Sequence, residues 1–243
     1  MLNYLKSTYL DKIKFYLNLR SNLNTLKKIK IPENIIKSHL SLFDKNIYDI
    51  NLSWHFHFFG GASKLFNKNL KILEIGTHDG TFANFLSQLS FVEKIYTIDL
   101  HETDLRFINT YGRKNSEDRK RFIKIRNINL KSSKIKFIEM DSNNILEIFK
   151  KEKFDLIWVD GDHFNPQVSN DINNSLELIQ PNGFILCDDV IIKNENYFKQ
   201  SNSDSFRAIN ELEEKKVINV RYILKRLKYK KYKKKFIAII TKN

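Results

Sequence analysis

Short apolar runs alternate with amphipathic stretches along most of this chain, a pattern typical of buried strands joined by helices. Between the runs, apolar residues recur at helical spacing, as Phe82, Phe85 and Leu89 do. Strands buried on both faces read as continuous apolar runs, so we expect an α/β fold with a seven-stranded, mostly parallel sheet, helices on both faces and an antiparallel C-terminal strand. The predicted strands are 71–76, 94–99, 134–141, 154–159, 184–187, 217–224 and 236–241.

The first 50 residues show helical spacing alone. Apolar positions recur at this spacing over 2–17, and a second helix begins near Pro32. We therefore divide the chain into an N-terminal helical cap, residues 1–50, and one α/β domain, residues 51–243. The cap either covers an active site or forms a homodimer through its helices, and the sequence does not choose between these roles.

Four carboxylates and one imidazole follow two of the predicted strands. Asp160, Asp162 and His163 come after the fourth strand, and Asp188 and Asp189 end the fifth. Ligands of open α/β sheets bind beyond such strand ends. Clustered carboxylates repel one another, and a divalent cation with hard oxygen ligands, such as Mg²⁺, commonly holds them together. In the alternative interpretation, two of the four cap the following helices.

A glycine loop lies between the first strand and the helix after it. The loop is Gly76-Thr77-His78-Asp79-Gly80, and the second strand ends at Asp99, about 20 residues further on. This layout binds an adenosine ribose, with Asp99 accepting hydrogen bonds from both ribose hydroxyls. The three residues between the glycines depart from the G-x-G-x-x-G spacing and argue against a nicotinamide dinucleotide enzyme.

Composition favours a soluble, cytoplasmic protein. The one cysteine, Cys187, has no partner for a disulfide, which indicates a reducing compartment. No apolar segment approaches the roughly 20 residues that span a bilayer, and the N-terminus lacks the features of a signal peptide. For His55 and His57, in an aromatic stretch, burial or hydrogen bonding explains the residues better than metal binding, because no further ligands are nearby.

A net charge of +14 and a basic run over 225–235, interleaved with Tyr229 and Tyr232, suggest an anionic partner. One alternative function is therefore an enzyme that modifies nucleic acid and binds it through this run. Against it, the fourth strand is followed by D-G-D-H and not by the N/D-P-P-Y type of motif. A solvated hairpin rich in lysine explains the run better. A second alternative is a non-catalytic module that docks on an anionic membrane or glycan.

Three segments together resemble the class I S-adenosylmethionine-dependent methyltransferases, which have a Rossmann-like fold. These segments are 74–82, V-D-G-D-H at 159–163 and the Asp188-Asp189 pair. The chain is most similar to the metal-dependent O-methyltransferases of the catechol and caffeoyl-CoA type and to the related group that modifies sugars and macrolides. The resemblance covers about residues 60–190. It implies methylation of a small hydroxylated molecule, such as a sugar or glycan precursor, assisted by Mg²⁺.

The resemblance also implies a role for individual residues. His163 would take the hydroxyl proton, and Asp160 would act with it in catalysis. In the alternative interpretation, His163 only forms local hydrogen bonds at the start of the following helix. Many members have a lysine where this chain has His163, and an asparagine where it has Asp189. The implied metal ligands are Asp160, Asp188 and Asp189. The implied cofactor-binding residues are Glu74, Gly76, Thr77, His78, Gly80, Asp99, Leu100, Asp141, Ser142 and Asp160.

Overall fold

The computed structural model describes residues 2–110, 112–192, 203–228 and 234–243, with side chains from residue 11 onward. Within these ranges the helices are α1 (Leu2–Lys28), α2 (Glu33–Ser41), α3 (His55–Gly61), α4 (Thr81–Ser87), α5 (Leu105–Asn109), α6 (Ser116–Asn129), α7 (Ile145–Ile148), α8 (Gln167–Leu178) and α9 (Asp204–Glu214). The strands are β1 (Leu70–Ile75), β2 (Val92–Asp99), β3 (Ile135–Glu139), β4 (Phe154–Val159), β5 (Ile179–Val190), β6 (Ile218–Leu224) and β7 (Phe236–Lys242).

The seven strands form one sheet in the order β3-β2-β1-β4-β5-β7-β6. Strands β1 to β5 pair in parallel, and β7 lies antiparallel between β5 and β6. Six strands therefore run in one direction and β7 runs in the other, which confirms the predicted fold class. Because the chain order reverses at β1 and β4, the carboxyl ends of these two strands form the crevice in which ligands of such sheets bind.

Each face of the sheet has its own apolar core. Successive side chains of a strand point to opposite faces, and in β4 Leu156 and Trp158 pack on one side while Ile157 and Val159 pack on the other. Helices α1 to α4 cover the first side, and α7, α8 and α9 cover the second. Burying one such side chain contributes roughly 1.5–3 kcal/mol, so the two cores hold the strand ends in fixed positions.

The helices of the predicted N-terminal cap share the first of these cores. Leu26 of α1 and Ile36 and Leu40 of α2 are fully buried. The Asn22 side chain also donates to the Leu224 carbonyl and accepts from the Leu224 N–H, each at 2.9 Å, which fastens α1 to β6. A homodimer through these helices stays a prediction.

Several element boundaries differ from the sequence prediction. Helix α1 continues to Lys28, whereas apolar spacing predicts a helix only over 2–17. The charged segment 101–133 contains two helices, α5 and α6, where we expect one helix and a loop. The expected turn at 181–183 lies inside β5 as an irregularity of the β4–β5 register, with Asn182 in the left-handed region at φ 64°. In the part of the chain that the structure describes, no helix is long and apolar enough to cross a membrane.

Candidate active site at the carboxyl ends of the parallel strands

The glycine loop follows β1 and packs against the end of β4. Gly76 has φ 99°, and a Cβ atom built on it would lie 2.3 Å from the Asp160 carbonyl oxygen. The Asp160 N–H in turn donates to the Ile75 carbonyl at 2.8 Å. Glycine is required at this position because a side chain fits neither the backbone conformation nor the space.

Asp99, at the end of β2, holds the other side of the loop. Its Oδ2 accepts from the His78 N–H at 3.0 Å, and its Oδ1 accepts from the Leu100 N–H at 2.8 Å. Burial raises the pKa of Asp99, although Arg113 opposes this effect. A carboxylate oxygen has two lone pairs, so both oxygens retain acceptor capacity.

A cavity of about 480 Å³ opens beside the glycine loop and Asp99. This volume lies in the range of small-molecule and cofactor sites. The residues predicted for the site that line the cavity are Gly76, His78, Asp99, Leu100, Asp141, Ser142, Asp160 and His163. The structure thus gathers most of the predicted cofactor-binding residues around one space.

Three other predicted cofactor residues, Glu74, Thr77 and Gly80, stand outside that lining. Glu74 is buried in the sheet and accepts a hydrogen bond of 2.5 Å from the Thr97 hydroxyl. Thr77 is hydrogen-bonded to the same hydroxyl at 2.6 Å. Gly80 begins α4 in the left-handed region, at φ 74°. These three residues therefore support the loop on the side away from the cavity, whereas Gly76 and His78 line the cavity.

A network of side-chain hydrogen bonds lies at the end of the cavity near β3. Gln167 Nε2 donates to Ser142 Oγ at 2.7 Å and to Asp171 Oδ1 at 2.9 Å. Asp171 is 1% exposed, lines the cavity, and has its pKa raised by burial to about 6. Asp141 accepts from Arg106 Nη1 at 2.8 Å.

Sequence reasoning missed Gln167, Asp171 and two arginines that line the same cavity. A signal for Asp171 exists, because it interrupts the apolar face of α8 next to Ile172. Arg113 has no such signal, since it lies in a uniformly charged segment. The residue is 4% exposed, and its guanidinium lies 4.3 Å from the ring centroids of Phe107 and Phe122. Arg113 and Arg106 place positive charge on the α5 side of the cavity.

A β-bulge at the end of β5 brings the two predicted metal ligands of that strand together. Neighbouring side chains of a regular strand point to opposite faces. Between Cys187 and Val190 the pairing with β7 gains one residue on β5, and Asp189 lies in the left-handed region at φ 53°. The bulge re-aims the strand, so that Asp188 and Asp189 both contact one cation.

That cation is the ammonium group of Lys225, from the hairpin between β6 and β7. Lys225 Nζ lies 2.5 Å from Asp188 Oδ2 and 2.6 Å from Asp189 Oδ1. Lys235 pairs with the other oxygen of Asp189. The prediction of a solvated hairpin for the basic run is wrong for Lys225, whose side chain is 11% exposed.

The charges of this cluster are strongly coupled. Burial opposes ionisation of Asp189, but Lys225 and Lys235 outweigh it and lower the pKa of Asp189 to about 2. Burial also opposes the charge of Lys225, but Asp188, Asp189 and Asp160 outweigh it and raise the lysine pKa. Burial first, and the neighbouring Asp188 second, raise the pKa of Asp160 well above its ordinary value. The ammonium groups of Lys225 and Lys235 therefore neutralise the charge of the carboxylates in this cluster.

The residues as arranged do not fit the divalent cation that the sequence predicts. Three of the four carboxylate oxygens of Asp188 and Asp189 already accept from Lys225 or Lys235, and the fourth, Asp188 Oδ1, is buried with no hydrogen-bond partner among the described residues. Within the described ranges, no group of three or more His, Cys, Asp or Glu side chains is placed to hold a metal ion. Asp160 lies at the same strand edge, next to Asp188, and also lines the cavity.

His163 stands between this cluster and the cavity. Its Nε2 lies 3.8 Å from Asp160 Oδ1 and 3.7 Å from Asp189 Oδ2, and the residue lines the cavity. Burial lowers the pKa of His163, and this effect outweighs the opposing influence of the Asp189 and Asp188 carboxylates. At neutral pH the imidazole is therefore neutral and can accept a proton.

Comparisons with known proteins agree with this geometry. Residues 73–190 match a family model described as a methyltransferase domain. No curated protein matches the chain. A Klebsiella pneumoniae protein assigned as an O-methyltransferase has the same fold, with a TM-score of 0.50 and 15% identity over 93% of this chain and 89% of that one. An O-methyltransferase from Bacillus cereus, solved with SAH, gives a TM-score of 0.46 and 22% identity over 71% of this chain and 74% of that one.

Residues 73–190, just under half of the chain, thus resemble a methyltransferase domain, and the sheet order agrees with the fold expected for one. S-adenosylmethionine as the cofactor stays a prediction. The roles of the individual site residues in binding it and the nucleic-acid alternative stay predictions as well. Residues 229–233 of the basic run lie outside the described ranges.

Proposed function

We propose that this protein is an S-adenosylmethionine-dependent methyltransferase that transfers a methyl group to a hydroxyl oxygen of a small hydroxylated molecule, such as a sugar or glycan precursor. One observation carries the proposal: the neutral His163 imidazole faces the cavity that the glycine loop and Asp99 also line. A hydroxyl needs a proton acceptor as its oxygen attacks, and a histidine with its pKa near or below neutrality suits this task. The structural likeness to an assigned O-methyltransferase supports the same acceptor atom.

The chain's own residues divide the work of the reaction. When bound, S-adenosylmethionine supplies an electrophilic methyl group on a sulfonium sulfur. Gly76 would let the backbone approach the bound cofactor closely, and Asp99 would accept hydrogen bonds from the ribose hydroxyls. Asp141 and Ser142 lie where the adenine would bind. Holding the methyl group and the acceptor oxygen in line supplies much of the rate enhancement.

His163 handles the proton. His163 Nε2 would take the hydroxyl proton of the acceptor as its oxygen is methylated, and bound S-adenosylmethionine would supply the methyl group and leave as S-adenosylhomocysteine. The Asp189 carboxylate, 3.7 Å away, stabilises the imidazolium that results. Asp160 borders the same space on the β4 side. Magnesium assistance, which the sequence predicts, has no part in this proposal, because ammonium groups hold Asp188 and Asp189.

Two measurements test the proposal. Calorimetric titration with S-adenosylhomocysteine should show one binding site per chain. A screen of sugars and other hydroxylated acceptors with methyl-labelled cofactor should then find turnover. His163→Gln should reduce that turnover by about 10²-fold or more, since general-base catalysis contributes on this scale, while the affinity for S-adenosylhomocysteine stays unchanged.

His39→Gln is the matched control. This histidine lies on α2, where its Nδ1 is 3.0 Å from the Ile35 carbonyl, and it is not among the cavity-lining residues. The control should retain both turnover and cofactor affinity. Equal turnover in the His163 variant and the wild type would remove His163 from the mechanism, and the absence of cofactor binding would reject the proposal as a whole.

A further inference from the structure

Lys225 is fixed in position by its backbone. Its N–H donates to the Lys235 carbonyl at 2.9 Å, and its carbonyl accepts from the Trp54 N–H at 2.8 Å. Trp54 is fully buried. The residue directly follows β6, two strands away from β5, and its four-carbon side chain reaches past the start of β7 to the bulge. Its ammonium group is thus delivered to Asp188 and Asp189 by anchored main chain and not by a free surface side chain.

The ammonium group makes the contacts that a divalent ion would need. Two of its three N–H donors point at one oxygen each of Asp188 and Asp189, over 2.5 and 2.6 Å. The other oxygen of Asp189 accepts from Lys235. Asp188 Oδ1 has no hydrogen-bond partner among the described residues, but both oxygens of Asp189 accept from lysine ammonium groups. A divalent ion bound to both carboxylates would therefore have to compete with these lysines for Asp189, and it would be repelled by the Lys225 ammonium group at such distances.

We propose that Lys225 is the resident cation of this site. Its ammonium group neutralises Asp188 and Asp189, excludes a divalent metal ion from them, and holds Asp189 beside His163. Lys225 is a positioning residue and not a catalytic one, because it acts through Asp189 on His163, and the cavity lining contains His163 without Lys225. The part of this proposal that concerns His163 rests on the proposed function, whereas the exclusion of the metal ion does not.

Titration with Mn²⁺, followed by electron paramagnetic resonance, tests the exclusion. The wild type should show no saturable binding below about 1 mM, the weak end of carboxylate cation sites. Lys225→Met keeps the length of the side chain but removes the charge, and should gain one Mn²⁺ site with affinity at least tenfold higher. Adding Asp188→Asn to that variant should abolish the gained site.

Two further variants separate charge from structure. Lys225→Arg retains a cation and should exclude Mn²⁺ as the wild type does. Lys228→Met is the matched control, because Lys228 lies exposed in the same hairpin. It should also behave as the wild type. If the role of Lys225 were purely structural, Lys225→Met would not gain a Mn²⁺ site that Lys225→Arg and Lys228→Met lack.

Each remaining outcome is decisive. One Mn²⁺ bound tightly by the wild type and lost in Asp188→Asn would overturn the proposal, even if Lys225→Met failed to fold. A folded Lys225→Met variant without a gained site would also overturn it, because the carboxylates would then not form a cation site. Calorimetry with S-adenosylhomocysteine on the same samples keeps the question of methyl transfer separate, since loss of cofactor binding would reject the proposed function and leave the Mn²⁺ result unaffected.

Discussion

Glu74 of β1 and Thr97 of β2 face each other as register partners in the parallel sheet, and the Thr97 hydroxyl donates to Glu74 Oε2 at 2.5 Å. Both residues are buried. A carboxyl group in this position is costly to ionise, and burial raises the pKa of Glu74 to about 8 in spite of the hydrogen bond from Thr97. The strand that leads into the glycine loop therefore carries, at Glu74, a carboxyl group that is mostly protonated at physiological pH.

Glu74 should make the folded enzyme less stable as pH rises from 5 to 8. In the unfolded chain the group ionises near 4.5, and in the folded chain near 8, so its contribution to stability is complete below 4.5 and lost as pH passes through 8. The gap corresponds to roughly 5 kcal/mol as an upper bound, at about 1.36 kcal/mol for each pH unit. Glu74→Gln should remove this dependence. Urea unfolding of cofactor-free protein at pH 5 and pH 8 measures the difference.

Glu177→Gln serves as the control, because Glu177 is exposed on α8. It should show the same change in unfolding free energy between the two pH values as the wild type. If Glu74→Gln also followed the wild type, ionisation of Glu74 would not be linked to folding.

Gly76→Ala should abolish cofactor binding and lower stability by about 3 kcal/mol or more. The new methyl group would collide with the Asp160 carbonyl at 2.3 Å in a backbone conformation that alanine rarely adopts. Gly112→Ala isolates the conformational part, because Gly112 has φ 77° but no atom within 4 Å of its added Cβ. That control should lose only about 1–2 kcal/mol. Thermal unfolding and calorimetry check both; equal losses would show that the contact with Asp160 is unimportant.

Asp99→Asn should weaken cofactor binding by about 10- to 100-fold, as loss of a hydrogen bond to a charged acceptor does. The amide NH₂ would face the N–H of either His78 or Leu100, which now donate to the carboxylate. The affinity for S-adenosylhomocysteine is the measurement. Asp118→Asn, at an exposed position of α6, should leave the affinity unchanged. Wild-type affinity in the Asp99 variant would show that the ribose binds elsewhere.

His57 should make the fold sensitive to acid. Its ring stacks on Trp54 at a centroid distance of 4.1 Å, and burial lowers its pKa to about 4. The unfolded chain binds the proton near pH 6.5, so the stability present at neutral pH is lost as pH falls from 6.5 through 4, by up to about 3 kcal/mol. His57→Phe keeps the stacking and should lose less stability between pH 7 and 5 in urea unfolding. The exposed His101→Gln should resemble the wild type, and identical pH slopes in all three proteins would contradict this assignment.

The order of residues was sufficient to predict the sheet and the edge at which the chemistry lies. Continuous apolar runs such as Phe154–Val159 must be buried on both faces, and this fixes the number of strands and their parallel arrangement. The glycine loop and the acid at Asp99 are local features joined by one βαβ unit. Their meeting follows from chain connectivity, so Gly76, His78 and Asp99 could be assigned to one site before the structure was known.

The cations that neutralise the acidic cluster could be identified only from the folded chain. Lys225 lies 37 residues from Asp188 along the chain and meets it because β7 inserts between β5 and β6. The bulge that turns Asp189 toward the same ammonium group is likewise absent from any local pattern. Hydrophobic periodicity reports burial and direction along an element, but it does not report which distant charges are brought together. For that reason the sequence predicted a divalent cation at carboxylates that the folded chain holds with its own lysines.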